Sequence, residues 1–245
     1  LIIMSVIAAI AAMQVAGGLD YLVYLAERIL RSNPKYITFL APLVTYVMTL
    51  MAGTGHTAFS TLPVISEVAK ESGIRPSRPL AIATVASQVA ITASPISAAV
   101  VFFSSELEKL GIGYVELLII AIPSTFIACM LAAFVTNFLG KDLKDDPVYQ
   151  ENLAKGLVKE SSGQQEEKDI PPGAKTSVLI FLIGIIVVVF YATAISSSVG
   201  LIEDPALDRN SAIMTIMLAV ATVITLVCRI DAGKVLEAAS FKSGM

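Results

Sequence analysis

The sequence predicts an all-α integral membrane protein, a multi-spanning helical bundle with a re-entrant hairpin and a broken helix, and three observations support that fold class. Of the 245 residues, 56% are hydrophobic and the mean hydropathy is +0.78, against an apolar share nearer ~45–50% in ordinary soluble domains. Charged residues make up only 15% and gather between long apolar runs instead of dotting one face of each run, which argues against amphipathic soluble helices. The runs are rich in Ala, Ile, Leu and Gly, lack strict alternation and exceed the ~10-residue strands of a membrane barrel, so the spans are helical.

Taken in order, residues 1 to 26 hold an apolar stretch long enough to cross a ~30 Å hydrocarbon core, with Gly17-Gly18 interrupting it and Asp20 beyond. A net basic connection, Glu27 to Lys35, follows, with Asn33-Pro34 as its turn signal. Ile37 to Ser66 is apolar apart from His56 and is broken in its middle by Gly53-Thr54-Gly55. After the loop Glu67 to Arg78, Leu80 to Ser105 is apolar again and is broken near its centre by Ser94-Pro95. Glu106 to Glu116 is mildly acidic, and residues 117 to 139 form another span. Lys141 to Lys175 is polar with almost no apolar periodicity and reads as a hydrophilic loop that needs no fold of its own. Val178 to Ile195 and Ile213 to Cys228 are two further spans, separated by an acidic connection. The organisation is therefore a transmembrane part at 1–139, a cytoplasmic loop at 140–175 and further transmembrane helices at 176–245.

Lys and Arg concentrate at 28 to 35, 70 to 78, 141 to 175 and 229 to 242, and the positive-inside rule puts those stretches in the cytoplasm. The acidic connections at 106 to 116 and 197 to 210 then face outward, and Ile37 to Ser66 must leave and return on one side. A single helix of that length would run ~45 Å, too long for the core, whereas two half-helices folded at Gly53-Gly55 would each reach about the midplane. The alternative is a tilted, kinked single crossing, which would put one basic loop outside.

Breaks at mid-membrane depth survive only where protein or a water-filled cavity satisfies their backbone groups, and such breaks commonly line transport sites. The first break supplies Gly53, Thr54, Gly55, Thr57 and the only histidine, His56; the second supplies Thr92, Ser94 and Ser97 beside Pro95. Half-helix N-termini after such breaks present amide donors and partial positive charge, which suit a carboxylate. The competing view makes them helix kinks lined by Ser and Thr that bond back to their own helix. His56 suits a supporting role at the site, and metal binding lacks partner ligands. Gln14 and Gln88 could reach the same cavity or bond neighbouring helices.

Other classes find little support. A net charge of −3 without a basic cluster gives none for nucleic acid. Cys129 and Cys228 lie inside apolar segments and read as small buried hydrophobes, with no disulfide or metal framework. No nucleophile elbow, phosphate-binding loop or His-Glu-x-x-His pattern is present, and an intramembrane hydrolase using Ser94 and His56 would lack a group to orient the imidazole. The chain is expected to be no enzyme and to use no cofactor. Opening at Leu1 inside an apolar run and ending at Ser243-Gly244-Met245, it reads as a fragment; residues 1 to 16 lack the basic leading region of a secretory signal.

The runs Ala52-Gly53-Thr54-Gly55-His56, Leu62-Pro63-Val64-Ile65, Arg75-Pro76-Ser77-Arg78-Pro79-Leu80, Thr92-Ala93-Ser94-Pro95-Ile96-Ser97-Ala98-Ala99-Val100-Val101 and Ile122-Pro123-Ser124-Thr125 resemble the anaerobic C4-dicarboxylate transporter (Dcu) family. Met13 to Leu22 and Gly173 to Val178 resemble it too, and within the family the chain looks closer to the aspartate- and fumarate-handling branch. The resemblance implies a multi-pass secondary transporter of the bacterial inner membrane, an antiporter exchanging fumarate, malate or aspartate for succinate in anaerobic metabolism. It also implies an inverted-repeat architecture whose carboxy-terminal half, absent from this chain, completes the site. Partners would be small dicarboxylates and the lipid bilayer, with a homo-oligomer left open. Some carriers of this kind also act as regulatory partners of sensor kinases. A dicarboxylate-sensing partner of a signalling protein, without obligatory transport, is therefore the alternative.

Overall fold

The computed structural model describes residues 2–157, 170–195, 201–202 and 205–240, apart from the side chains of His56, Thr57 and Ala98. Among the described residues the regular structure is helical throughout. Helices long and apolar enough to cross a membrane are Pro34–Ala52, Tyr114–Asn137, Ala174–Ala194 and Arg209–Val227, so the chain is a multi-span membrane protein.

The first apolar stretch departs from the expected layout. Helix α1 (Ile2–Val15) ends after 14 residues, about 21 Å of helix. Helix α2 (Gly18–Ser32) turns away from it by 72°. Gly17 makes the corner: its φ of 81° is left-handed, and a Cβ there would stand 2.8 Å from the Pro171 ring. Beyond the corner α2 exposes Asp20 and Arg28 and buries Val23, Ala26 and Leu30, with the buried Glu27 paired to Arg31. That amphipathic pattern suits a helix lying across the bundle end better than one continuing through it.

Helix α3 (Ile37–Ala52) follows a short 3₁₀ turn at Pro34–Tyr36, and the chain then passes through the single turn α4 (His56–Phe59) into α5 (Leu62–Glu71). Val44 and Met48 of α3 and Ile65 and Val68 of α5 share one buried cluster with Leu30 of α2 and Ala83 of α6 (Ser77–Ala90). At the end of α2, Arg31 meets Glu71 at 2.7 Å and Glu67 at 3.2 Å. The segment from Ile37 to Glu71 therefore leaves and returns to the same end of the bundle, but its arms are unequal: Pro34–Ala52 is long enough to cross a membrane instead of stopping at the midplane, while α5 has 10 residues. After α6, residues 91 to 97 are non-helical, and α7 (Ala98–Glu108) carries the chain onward to the opposite end.

Helix α8 (Tyr114–Asn137) brings it back. The chain just past its end reaches Arg78, whose guanidinium donates to the carbonyls of Leu139 and Gly140 and lies 2.6 Å from Asp142. Here the polar loop is more ordered than expected. Leu143 is buried and donates its N–H to Gly73 O at 3.0 Å, and Arg75 pairs with Asp146 at 3.3 Å. Asp146 also caps a short helix, α9 (Pro147–Ala154), by accepting from Val148 N and Tyr149 N. Residues 139 to 146 thus form a strap on the 73–78 turn.

Helices α10 (Ala174–Ala194) and α11 (Arg209–Val227) pack together with α1 around Met13, Phe181, Met217 and Ile224. Gly184 allows their close approach, since a Cβ there would sit 2.3 Å from Val220 Cγ2. Ala192, near the end of α10, joins Tyr114 and Leu118, at the start of α8, in a buried cluster. α8 and α10 are therefore antiparallel, and Asn137 lies at the same end as Ala174. A short helix, α12 (Ala232–Ala239), closes the described chain against α1.

Candidate functional site

The two breaks meet. Helix α3 stops at Gly53, whose N–H bonds back to Thr49 O at 2.8 Å while its φ of 69° turns the chain out of the helix. A Cβ on Gly53 would lie 3.0 Å from Ile96 Cγ1 and 3.3 Å from both Ile96 C and Ser97 N. Only glycine provides both the left-handed turn and this backbone-to-backbone approach. From the other side, Ser94 Oγ donates to Leu50 O at 2.7 Å. Leu50 is in the last turn of α3, where carbonyls have lost their helical partners, so the second break satisfies an orphan acceptor of the first.

Further residues hold the pair in place. Thr45 Oγ1 bonds Ala83 O at 2.9 Å, tying α3 to α6. Tyr46 reaches α8, donating to Ile122 O at 3.1 Å and sharing a hydrogen with Thr125 Oγ1 at 2.8 Å. The Ile122-Pro123-Ser124-Thr125 run is thus a buttress behind the first half-helix. On the far side the Tyr114 hydroxyl donates to Pro95 O in the second break. Arg209 lies 5.6 Å over the Tyr114 ring and pairs with Glu108 at 3.0 Å.

The sequence-predicted residues divide by what their groups already do. Thr92 is exposed and its hydroxyl returns to Val89 O at 2.7 Å. Ser94 and Ser97 are buried; the first spends its hydrogen on Leu50 O, and Ser97 Oγ caps α7 by accepting from Val100 N at 3.2 Å. Pro95 is buried at the elbow and Thr54 is half-buried beside Gly53. Gly55 is buried, and a Cβ on it would stand 2.5 Å from Gln88 Nε2. His56 and Thr57 open α4, but their side chains lie outside the described ones. No group of three or more metal-ligating side chains occurs among the described residues.

Charge is absent from both broken segments: Ile37 to Ser66 and Leu80 to Ser105 contain no Asp, Glu, Lys or Arg. Any polarity comes from hydroxyls, backbone groups and amides. Two further residues stand at the junction whose place in it no local sequence pattern marks. Gln88 was legible as a polar residue in an apolar run, but its contact with Gly55 was not. Thr49, fully buried one turn before Gly53 with no partner for its hydroxyl among the described residues, carried no local signal.

A family model described as anaerobic C4-dicarboxylate membrane transporter matches residues 1–245. The chain belongs to that family. It is 67% identical over all of its length to the C4-dicarboxylate transporter DcuA of Wolinella succinogenes, covering 56% of that protein. It is 54% identical to DcuA of Escherichia coli strain K12, again covering 56% of it. The anaerobic C4-dicarboxylate transporter DcuB of Escherichia coli strain CFT073 is 34% identical, with 57% covered. The chain therefore spans about half the length of the curated relatives it matches. No solved structure matches it. Family and helices together make it a multi-pass integral protein of the bacterial inner membrane, in a family of transporters and not of enzymes.

Proposed function

We propose that the full-length protein is a secondary transporter exchanging C4-dicarboxylates, fumarate, malate, aspartate and succinate, across the inner membrane in anaerobic metabolism. The observation that carries this reading is the contact between the breaks: Gly53 lies against Ile96 and Ser97, and Ser94 bonds Leu50 O at 2.7 Å. The end of α3 meets the backbone that leads into the N-terminus of α7, and it is the N-terminal amides after each break, not the carbonyls at the end of α3, that suit a carboxylate. A dicarboxylate brings two charges into low dielectric, and each one left without donors would cost several kcal/mol. The site residues in this reading are Gly53, Thr54, Gly55, His56, Thr57, Thr92, Ser94, Pro95 and Ser97. Ser94 and Ser97 shape the site while the backbone around Gly53 and Gly55 approaches the substrate. The names of the DcuA and DcuB relatives support the substrate class.

Purified full-length protein in proteoliposomes tests the proposal. Labelled fumarate or aspartate should enter vesicles preloaded with succinate and should enter empty vesicles much more slowly. Binding without flux under both conditions would replace exchange by the sensing role, in which the protein serves a sensor kinase and need not move its ligand.

A further inference from the structure

Gln88 is a neutral amide in a demanding place. It lies near the end of α6, which begins at Ser77 beside the polar strap and ends at Ala90. The rise from Ser77 to Gln88 is about 16 Å, half of a ~30 Å hydrocarbon core. At that depth its side chain is exposed. Its amide nitrogen makes one hydrogen bond among the described residues, a long one of 3.4 Å to the adjacent Ser87 Oγ. Ser87 Oγ is itself fully buried and bonded to Thr84 O at 3.0 Å. A primary amide with unmet hydrogens is costly in hydrocarbon, so the face that carries it belongs to a polar cavity.

The amide also touches the first break. The position that a Cβ on Gly55 would occupy is 2.5 Å from Gln88 Nε2, 3.3 Å from Cδ and 3.4 Å from Oε1. The whole carboxamide lies along the Gly55 backbone, and the glycine leaves the room for it. Gln88 therefore stands where α6 runs into the second break and its amide lies on the first.

We propose that Gln88 is a substrate-contacting residue of the dicarboxylate site, its amide N–H donating to one carboxylate while Gly55 sets the amide's position. The inference rests on the dicarboxylate reading above and adds a donor which that reading did not include. Ser94 and Thr92 have committed their hydrogens to backbone carbonyls. The Gln88 amide, exposed and with one long hydrogen bond, is a described side-chain donor at this junction with a hydrogen still to give. Its neutrality matters, since a carboxylate in its place would repel the substrate and a cation would hold it without release.

The test uses purified full-length protein, with fumarate and aspartate affinities measured calorimetrically so that expression does not enter. Gln88→Met keeps length and removes the donor; fumarate affinity should fall about 5- to 150-fold. Gln88→Glu should lose fumarate more severely than aspartate, whose ammonium can meet the new charge. Gly55→Ala displaces the amide, so its effect and that of Gln88→Met should be strongly non-additive. If Gln88→Met and Gln88→Glu bind fumarate within twofold of the parent while Gly55→Val loses it, the Gln88 assignment is wrong and the site stands. If all three bind as the parent does, the site itself is wrong.

Discussion

Arg31 and Glu71, at the ends of α2 and α5, are joined by two hydrogen bonds of 2.7 and 3.0 Å across 40 residues of chain. Glu27 holds the same guanidinium at 2.8 Å. Burial works against the charge on Arg31, but its bonds to Glu27 and Glu71 outweigh this and raise its pKa above the ordinary value. The intervening chain enters the bundle as α3 and comes back as α5, so Arg31 fastens the base of the hairpin.

The first prediction follows from that fastening. In a background lacking Cys129 and Cys228, single cysteines at Ser32 and Ser77 should be labelled from the same side by an impermeant thiol reagent. The positive-inside rule makes that side cytoplasmic. Labelling from opposite sides would end the hairpin reading and restore a kinked single crossing.

The second concerns the strap. Arg78 is nearly buried, with its side chain 10% exposed, and it holds Leu139, Gly140 and Asp142 together. The three acceptors are exposed, so losing the guanidinium costs only about 0.5–1.5 kcal/mol. Arg78→Ala should therefore release the strap and speed tryptic cleavage after Lys141 and Lys144. The stretch Ser161 to Glu167, read from sequence as a dispensable part of the same loop, lies outside the described residues. Its deletion should leave uptake near the parent level, and collapse of exchange at normal membrane abundance would make it a gate or docking element.

The third concerns the start of α11. The hydrogen bond from Ser211, then the amides of Ser211 and Asn210, hold the Asp208 carboxyl below its ordinary value of 3.8. A depressed folded value means that the capped carboxylate stabilises the fold above the ordinary range and loses that contribution as pH falls through the lower folded value. Asp208→Ala should cost about 1 kcal/mol at neutral pH, as N-cap removal commonly does. Asp208→Asn should retain most of it and abolish the acid dependence of this contribution. Melting of the detergent-solubilised variants between neutral pH and pH about 3 checks both.

What could be read from sequence was local. Gly53-Thr54-Gly55 and Ser94-Pro95 announced their breaks because paired glycines and a serine-proline step weaken a helix locally, although Pro42 and Pro123 sit inside α3 and α8 without ending them. Their meeting was less legible: that Ser94 would find Leu50 O, or that Gln88 would lie on Gly55, depends on how α3 and α6 cross, and no short-range pattern encodes it. Gly17 marked an interruption, but the 72° bend needed the amphipathic α2 to be recognised as a separate element. In the loop, Asp146-Pro147 was a usable helix-start signal that the polar composition around it outweighed.

The last prediction tests whether the breaks hold substrate together or merely hold each other. Ser94→Ala leaves Leu50 O buried without its donor, a change that costs about 1–3 kcal/mol. If the breaks only brace the bundle, that cost should appear as a lower melting temperature and membrane yield, with fumarate affinity of the folded fraction unchanged. Thr54→Val should behave likewise. If substrate binds across the junction, loosening it should also weaken affinity, and saturating fumarate should raise the melting temperature of the parent more than that of Ser94→Ala. Gly55→Val gives the sharper contrast. The valine side chain enters the space held by the Gln88 amide, so exchange should vanish while insertion and yield stay near the parent level. Unchanged affinity in both Thr54→Val and Ser94→Ala, with exchange surviving in Gly55→Val, would leave the junction a structural joint and place the substrate elsewhere.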